Sequence, residues 1–214
     1  MRDHADRVED ERGDAQYGPR AVLDAAALDC IREANLGFLA LVGRAARTGL
    51  PRYGLDVATM ADVAGLEPLA RRAVASLPYT LFNLRFEDKD FWHGVVQDAA
   101  RPGAASLEDD ATFARTAVFL AWHLVQGDGA APAMVLGMAP AVVEVWRRLP
   151  LSALDLAATR ALPLLEARWG AHARFWPRLS AAVRGEAPSR LVDLRDLGLH
   201  LLAAQGLGGT AGSA

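Results

Sequence analysis

An internal repeat constrains the fold of this chain more than any other feature of its sequence. The first half aligns with the second at an offset of 83 residues, and an aromatic pair near the end of each half aligns after a slip of one residue. The matching positions are Leu41 and Val42 with Leu124 and Val125, Gly54 with Gly137, Leu66 with Leu149, Ala70 with Ala153, Leu81 with Leu164, Arg85 with Arg168, Phe86 with Trp169, and Phe91 and Trp92 with Phe175 and Trp176. The repeat predicts two similar modules in tandem.

Helical signals dominate the start of the first module. Apolar residues recur at spacings of three and four over residues 24–48, which predicts a long helix. Asp56 is placed to cap a second helix that ends at Gly65. Pro68 suits the first turn of a third helix. Two short helices are therefore expected to meet across a tight turn.

The rest of the module adds one extended stretch to this helical pattern. Tyr79 to Phe86 alternates its apolar residues and predicts an extended segment or short strand. Asp88 is placed to cap a following helix, which should run to about Arg101. A last helix, Ser189 to Gln205, has no visible counterpart in the first half. We predict an all-α fold, with the short extended segment in the first module.

Composition sets the expected boundaries of the modules. Residues 1–20 carry dense charge of both signs and almost no large apolar side chains, which is typical of a disordered tail. The first module should cover 21–101, and the Pro-Gly and acidic stretch at 102–110 is the expected linker. The second module should cover 111–205, and the small residues of 206–214 indicate a flexible tail.

Charge and cysteine content narrow the classes of function. A net charge of −3 supplies no overall field that would draw the chain onto nucleic acid, so any DNA contact must come from a local patch or a partner. One cysteine excludes an internal disulfide and favours a reducing compartment, which we take to be the cytoplasm. No apolar run is long enough to predict a membrane span or a signal peptide.

Residues that could carry chemistry are scattered along the sequence. The five histidines lack a second ligand at helical spacing, so neither a zinc site nor another cofactor is expected. Cys30 lies beside Asp29, whose charge disfavours a reactive thiolate. The acidic residues 108–110 are interpreted as solvated linker charge. The five tryptophans are interpreted as core residues, with a partner anchor as the alternative for one or two of them. We therefore expect a protein that is not an enzyme.

The stretch from Cys30 to Val96 resembles the FlhD family of bacterial flagellar transcriptional regulators. The resemblance rests on the order and spacing of several short pieces, and it covers about a third of the chain. These pieces are Ile31, Asn35-Leu36 and an apolar helix ending near Arg44, the step Arg52-Tyr53-Gly54, a short helix through Met60, the turn Leu66 to Pro68, and the close Leu84-Arg85-Phe86. The sequence departs from the family in its duplication, its charged N-terminal tail, and the absence of a cysteine near Phe82.

This resemblance implies a function and a set of site residues. Members of the family are helical dimers that join a second, zinc-containing subunit to activate promoters, and the partner makes much of the DNA contact. A duplicated chain would be a monomeric pseudo-dimer that regulates transcription with a protein partner; the alternative is a protein-only adaptor that has lost DNA binding. The candidate DNA-binding residues are Arg52 and Arg85, where the family also shows arginine, together with Arg71 and Arg72, a small positive patch on the second of the two short helices. The candidate partner-binding residues are Asn35, Phe38 and Trp92.

Overall fold

The computed structural model describes residues 25–97, 108–127, 131–184 and 189–208. These residues are mostly helical, which confirms the predicted class. The helices are α1 (Ala25–Ala46), α2 (Val57–Ala64), α3 (Pro68–Ala75), α4 (Lys89–Gln97), α5 (Glu108–Gln126), α6 (Ala131–Leu136), α7 (Pro140–Arg147), α8 (Leu154–Ala161), α9 (Phe175–Arg184) and α10 (Ser189–Gly208), with 3₁₀ turns at Leu151–Ala153 and Leu162–Leu164 and two short strands, β1 (Phe82–Asn83) and β2 (Glu166–Ala167). None of the described helices is long and apolar enough to cross a membrane.

Local sequence signals account for the start of the fold. The α1 helix buries the stripe that its periodicity predicts and ends where Gly49 takes a positive φ of 67°. The side chain of Asp56 accepts a hydrogen bond from the backbone N–H of Thr59 at 2.6 Å, and Pro68 opens α3. Asp88 accepts in the same way from Phe91 at 2.9 Å. The predicted helix starts after Asp56, Pro68 and Asp88 are confirmed.

The predicted extended segment is almost entirely buried, but only two of its residues form a strand. In β1, Phe82 pairs with Ala167 and Asn83 pairs with Glu166, in an antiparallel arrangement with β2. The strand of the first half therefore pairs with the strand of the second. This pairing places the two halves side by side at the centre of the molecule.

The helices of the two halves pack against each other across this centre and share one core. Helix α1 packs against α5, α2 of the first half packs against α9 of the second, and α4 packs against α7. The rings of Trp92 and Trp146 are 4.3 Å apart between centroids, and those of Phe82 and Phe113 are 4.9 Å apart. Because one continuous cluster of buried side chains includes residues of both halves, the predicted modules are not separately cored units.

A few positions in the two halves follow the spacing of the sequence repeat, with a slip of one residue near the strands. Helix α2 begins at residue 57 and α7 at 140, and Gly54 and Gly137 both take a positive φ, so both pairs are 83 residues apart. After the strands, the residues with positive φ are Arg85 (55°) and Trp169 (54°), which are 84 apart. Arg168 therefore takes the buried place of Leu84, and the alignment of Arg168 with Arg85 is wrong by one position.

The predicted boundaries also change at two helices. Helix α5 begins at Glu108, so the last three residues of the expected linker are helical, and residues 98–107 lie outside the described part of the chain. Helix α10 extends to Gly208, three residues into the expected C-terminal tail. The expected N-terminal tail, residues 1–20, and residues 209–214 also lie outside the described part.

Candidate functional site

A polar pocket lies where the end of α1, the turn at Arg52 and Tyr53, and the start of α5 meet. Arg52 forms a short ion pair with Asp110. The Tyr53 hydroxyl donates a hydrogen bond to the other carboxylate oxygen of Asp110 at 2.9 Å. Beside them, Arg44 Nε lies 3.1 Å from Asp109 Oδ2. The cavity has a volume of about 330 Å³ and is lined by Leu41, Arg44, Ala45, Arg52, Tyr53, Asp109 and Asp110.

The charged and polar groups of this polar pocket pair with one another. Asp110 is 9% exposed, so its interpretation as solvated linker charge is wrong. Its carboxylate accepts from a guanidinium and a phenol, which compensates the cost of burying it. Burial, and then the hydrogen bond to Asp110, raise the pKa of Tyr53, so its hydroxyl stays a donor at neutral pH. This pocket therefore ties the start of the second half to the first.

The four candidate DNA-binding arginines have different surroundings. Arg52 is engaged in the polar pocket, and Arg71 donates to the carbonyls of Ala64 and Leu66 at 3.3 and 3.2 Å. Those carbonyls lie at the C-terminal end of α2, so Arg71 caps that helix. Arg72 and Arg85 are exposed, and Arg85 lies 3.3 Å from Asp88. Of the four, only Arg72 and Arg85 present an exposed guanidinium without a role inside the fold.

The three candidate partner-binding residues are buried, which corrects their assignment. Asn35 is fully buried; its side chain donates to the carbonyls of Ala75 and Tyr79 at 3.1 and 2.9 Å and accepts from the N–H of Leu81 at 2.8 Å. It thereby fixes the path of the chain into β1. Phe38 and Trp92 belong to the aromatic core. None of the three offers a surface to a partner of the folded chain.

An exposed apolar patch on α5 and α8 is the surface that the sequence interpretation missed. Arg115 of α5 lies 3.4 Å from Asp155 of α8, and Trp122 Nε1 donates to Leu149 at 2.9 Å. These two contacts show that the segments run antiparallel. The α5/α8 patch lies between them and consists of Phe119, which is 43% exposed, Leu151, which is 59% exposed, and the half-buried Trp122.

One signal in the sequence could have revealed the α5/α8 patch. The buried positions of α5 include residues 113, 114, 117, 118, 121 and 125, and Phe119 lies outside that stripe. An aromatic residue off the core stripe of an amphipathic helix is a candidate contact for a partner.

The described residues give no indication of metal chemistry. Among them, no three His, Cys, Asp or Glu side chains come together in a group that could hold a metal ion. Cys30 is exposed on α1 and is not disulfide-bonded.

The comparisons with known proteins found no match to this chain. No protein-family model matches the chain, and neither a curated protein nor a solved structure is significantly similar to it.

Proposed function

We propose that this chain is a helical regulatory protein resembling FlhD, which acts on transcription together with a partner subunit. The observation that carries the proposal is the packing of two helical halves against each other, joined through β1 and β2. The resemblance implies a dimer of helical modules, and the tandem repeat would supply both modules in one chain. A fused pair of modules keeps its partners at a high effective concentration, so the chain is expected to be a monomer.

In this proposal the partner subunit makes most of the DNA contact. The chain is acidic overall, and two of its four candidate arginines have internal roles. Of these four, Arg72 and Arg85 remain as candidate phosphate contacts, which limits the share of the binding energy that the four can supply. The same observation favours a second candidate function, a protein-only adaptor with no DNA contact.

The partner subunit is proposed to bind the α5/α8 patch. Phe119 and Leu151 are large exposed apolar side chains, and the Arg115–Asp155 ion pair and the Trp122–Leu149 hydrogen bond join the segments that carry them. An aromatic anchor with a polar rim is the usual composition of a binding hot spot. Replacing Phe119 by serine should therefore reduce partner capture strongly without changing the core.

A paired experiment separates the two candidate functions. Pull-down from the native cell identifies the partner, and gel-shift assays with promoter DNA are then run with and without it. The regulator predicts a ternary complex that the double variant Arg72→Glu, Arg85→Glu weakens at every DNA sequence. The matched control is Arg178→Glu with Arg190→Glu, the same charge change at two other exposed arginines.

The outcomes of this experiment are distinct. If the partner is retained and no promoter DNA is, the adaptor replaces the regulator. If both double variants weaken DNA binding equally, the contact is a general charge effect and Arg72 and Arg85 have no special role. Arg71 is left unchanged because its loss would disturb the end of α2.

A further inference from the structure

Asp88 in the first half and His172 in the second occupy corresponding places, each just before the start of a helix. They are 84 residues apart, the same offset that separates the positive-φ residues Arg85 and Trp169. The backbone N–H of Asp88 donates to the carbonyl of Arg85 at 2.9 Å. In the same way, the N–H of His172 donates to the carbonyl of Trp169 at 2.8 Å. The two loops therefore share one backbone turn, and they differ in the residue that leads into the helix.

Both residues cap the helix that follows them. The Asp88 carboxylate accepts a hydrogen bond from the backbone N–H of Phe91 at 2.9 Å. In the second half, Nδ1 of His172 accepts from the N–H of Arg174 at 3.3 Å and from that of Phe175 at 3.2 Å. The second of these N–H groups also reaches the His172 carbonyl at 3.2 Å. Because the first N–H groups of a helix have no acceptor within it, both side chains supply one, a carboxylate in one half and an imidazole in the other.

The two capping groups respond differently to acid. A neutral imidazole carries a proton on one ring nitrogen, and Nδ1 of His172 is the nitrogen without it, because it accepts from two N–H groups. Protonation places a hydrogen on Nδ1, so the acceptor is lost. The new positive charge would lie at the N-terminal end of a helix, where the helix dipole disfavours a cation. Histidine ordinarily takes up its proton between about pH 8 and 5, whereas aspartate ordinarily stays charged over this range.

The helix that His172 caps joins the two halves of the chain. Helix α9 packs on α2 and α3 of the first half, and its first two residues, Phe175 and Trp176, are buried. The indole N–H of Trp176 donates to the carbonyl of Arg168 at 2.9 Å, which ties the start of α9 to the residue that follows β2. The start of α9 is therefore a joint between the second half and the helices α2 and α3.

Charged groups on the elements packed against α9 contribute to the field at His172. They are Asp62 on α2, Arg71 and Arg72 on α3, Arg190, Asp193, Arg195, Asp196 and His200 on α10, Arg52 in the turn at Gly54 that Gly170 contacts, and Arg174 and Arg178 beside and on α9. Carboxylates and guanidiniums ordinarily keep their charge between about pH 5 and 8, so of these groups only His200 titrates together with His172. Its Nδ1 lies 2.9 Å from the carbonyl of Asp196, which is an acceptor, so protonation of His200 preserves that contact.

We propose that His172 is a pH-sensitive cap, which fixes the start of α9 when it is neutral and releases it when it is protonated. Asp88 stays a hydrogen-bond acceptor over the same pH range, so the response to acid is confined to one half of the chain. The contribution of His172 to stability is complete above the range in which histidine takes up its proton and is lost as the pH falls through it. This device goes beyond the proposed function and requires neither a partner nor DNA.

Exchanging the two capping residues tests the proposal. The variant His172→Asp copies the first half into the second, and Asp88→His copies the second half into the first. Amide hydrogen exchange, corrected for the intrinsic rate at each pH, measures the opening of each helix start at Phe175 and Phe91.

The two amides should respond to acid in opposite ways. In the wild type, the protection factor of the Phe175 amide should fall roughly fivefold from pH 8 to pH 5.5, the size of effect expected for the loss of one helix cap, while that of Phe91 stays constant. His172→Asp should abolish the fall at Phe175, and Asp88→His should create a fall at Phe91. The matched control is His200→Asn, which removes the other histidine of the packed elements and should keep the fall at Phe175.

Three outcomes overturn the proposal. The first is a fall at Phe175 that persists in His172→Asp or is absent from the wild type. If this amide exchanges only through global unfolding, the urea midpoint is compared instead, and an equal fall with pH in the wild type and in His172→Asp is the second. The third is a nitrogen-15 spectrum in which Nδ1 of His172 carries a proton at pH 8. None of them depends on whether the chain regulates transcription, so the two proposals can fail separately.

Discussion

The polar pocket at Asp110 and the cluster at Arg168 bury opposite charges in opposite ways. Asp110 receives a guanidinium and a phenol, so both of its oxygens have donors. Arg168 donates hydrogen bonds to two carbonyls and forms no ion pair among the described residues, and its Nη1 has no acceptor. The Asp110 contacts hold two parts of the chain together, whereas the Arg168 guanidinium is left partly unpaired. Pairing of the buried group, and not burial alone, decides how much such a group contributes to stability.

The largest effect on stability is expected when the carboxylate of Asp110 is removed from the polar pocket. Asp110→Ala removes the acceptor of both Arg52 and Tyr53, and it should lower the free energy of unfolding by about 2 to 3 kcal/mol. Because the Arg52 side chain is 39% exposed, water can solvate it, and the cost stays at the lower end for a buried pair. Urea denaturation measures the change. Asp109→Ala is the control, since the exposed pair that it makes with Arg44 is worth about 0 to 1 kcal/mol.

The titration of Tyr53 gives a second test of the same polar pocket, through the pH dependence of stability. Its pKa is raised in the folded state, so its contribution to stability is complete below pH 10, the ordinary pKa of tyrosine, and falls as the pH rises further. Tyr53→Phe should reduce the alkaline slope of the unfolding free energy by up to about 1.4 kcal/mol per pH unit. Tyr79 contributes to the slope in the same direction and remains in this variant. An unchanged slope above pH 10 would show that Tyr53 ionises in the folded chain as it does in water.

Arg71 and Arg72, two neighbouring arginines on α3, allow a similar comparison outside the two buried sites. It tests whether a hydrogen-bonded side chain contributes more to stability than an exposed one. Arg71→Ala leaves the carbonyls of Ala64 and Leu66 without their donor and should cost about 1 kcal/mol. Arg72→Ala changes an exposed side chain whose guanidinium has no role inside the fold, and it should cost less than about 0.5 kcal/mol. Thermal unfolding of both variants gives the comparison. Equal losses of stability in the two variants would show that the hydrogen bonds of Arg71 do not set it apart from Arg72.

Among the buried charged groups, the smallest effect is expected at Arg168. Arg168→Met keeps most of the side-chain volume and removes the buried charge, so stability should change by no more than about 1 kcal/mol. The loss of two hydrogen bonds to carbonyls and the gain from removing the desolvation cost oppose each other. Denaturation alongside Asp110→Ala measures the contrast directly. A loss as large as that of Asp110→Ala would make Arg168 a structural residue of the same kind.

Local sequence signals were enough for the helical class and for several helix starts. Asp56, Pro68 and Asp88 act on backbone groups within a few residues, so the sequence alone contains both partners of each contact. The burial of Asp110 was not predictable in this way. Its hydrogen-bond partner Tyr53 is 57 residues away, and only the packing of α5 against α1 brings the two together.

The candidate site residues show a second limit of prediction from the sequence, which is whether a side chain faces the core or the surface. Arg85 and Arg168 align as identical letters, but the slip of one residue near the strands places Arg168 inside and Arg85 outside. A shift of one position in an extended segment moves a side chain to the other face. Asn35 matched a family pattern, yet such a pattern does not separate a residue that builds the fold from one that binds a partner.

The pairing of β1 with β2 has a consequence for stoichiometry. In a symmetric homodimer, each strand faces its own copy, and any surface occurs twice. Here Phe82 faces Ala167, so a large ring meets a small side chain, and the two sides of the central pair have become different. A surface on one half, such as the α5/α8 patch, is then present once per chain. A protein built in this way is expected to recruit one copy of its partner where a homodimer would recruit two.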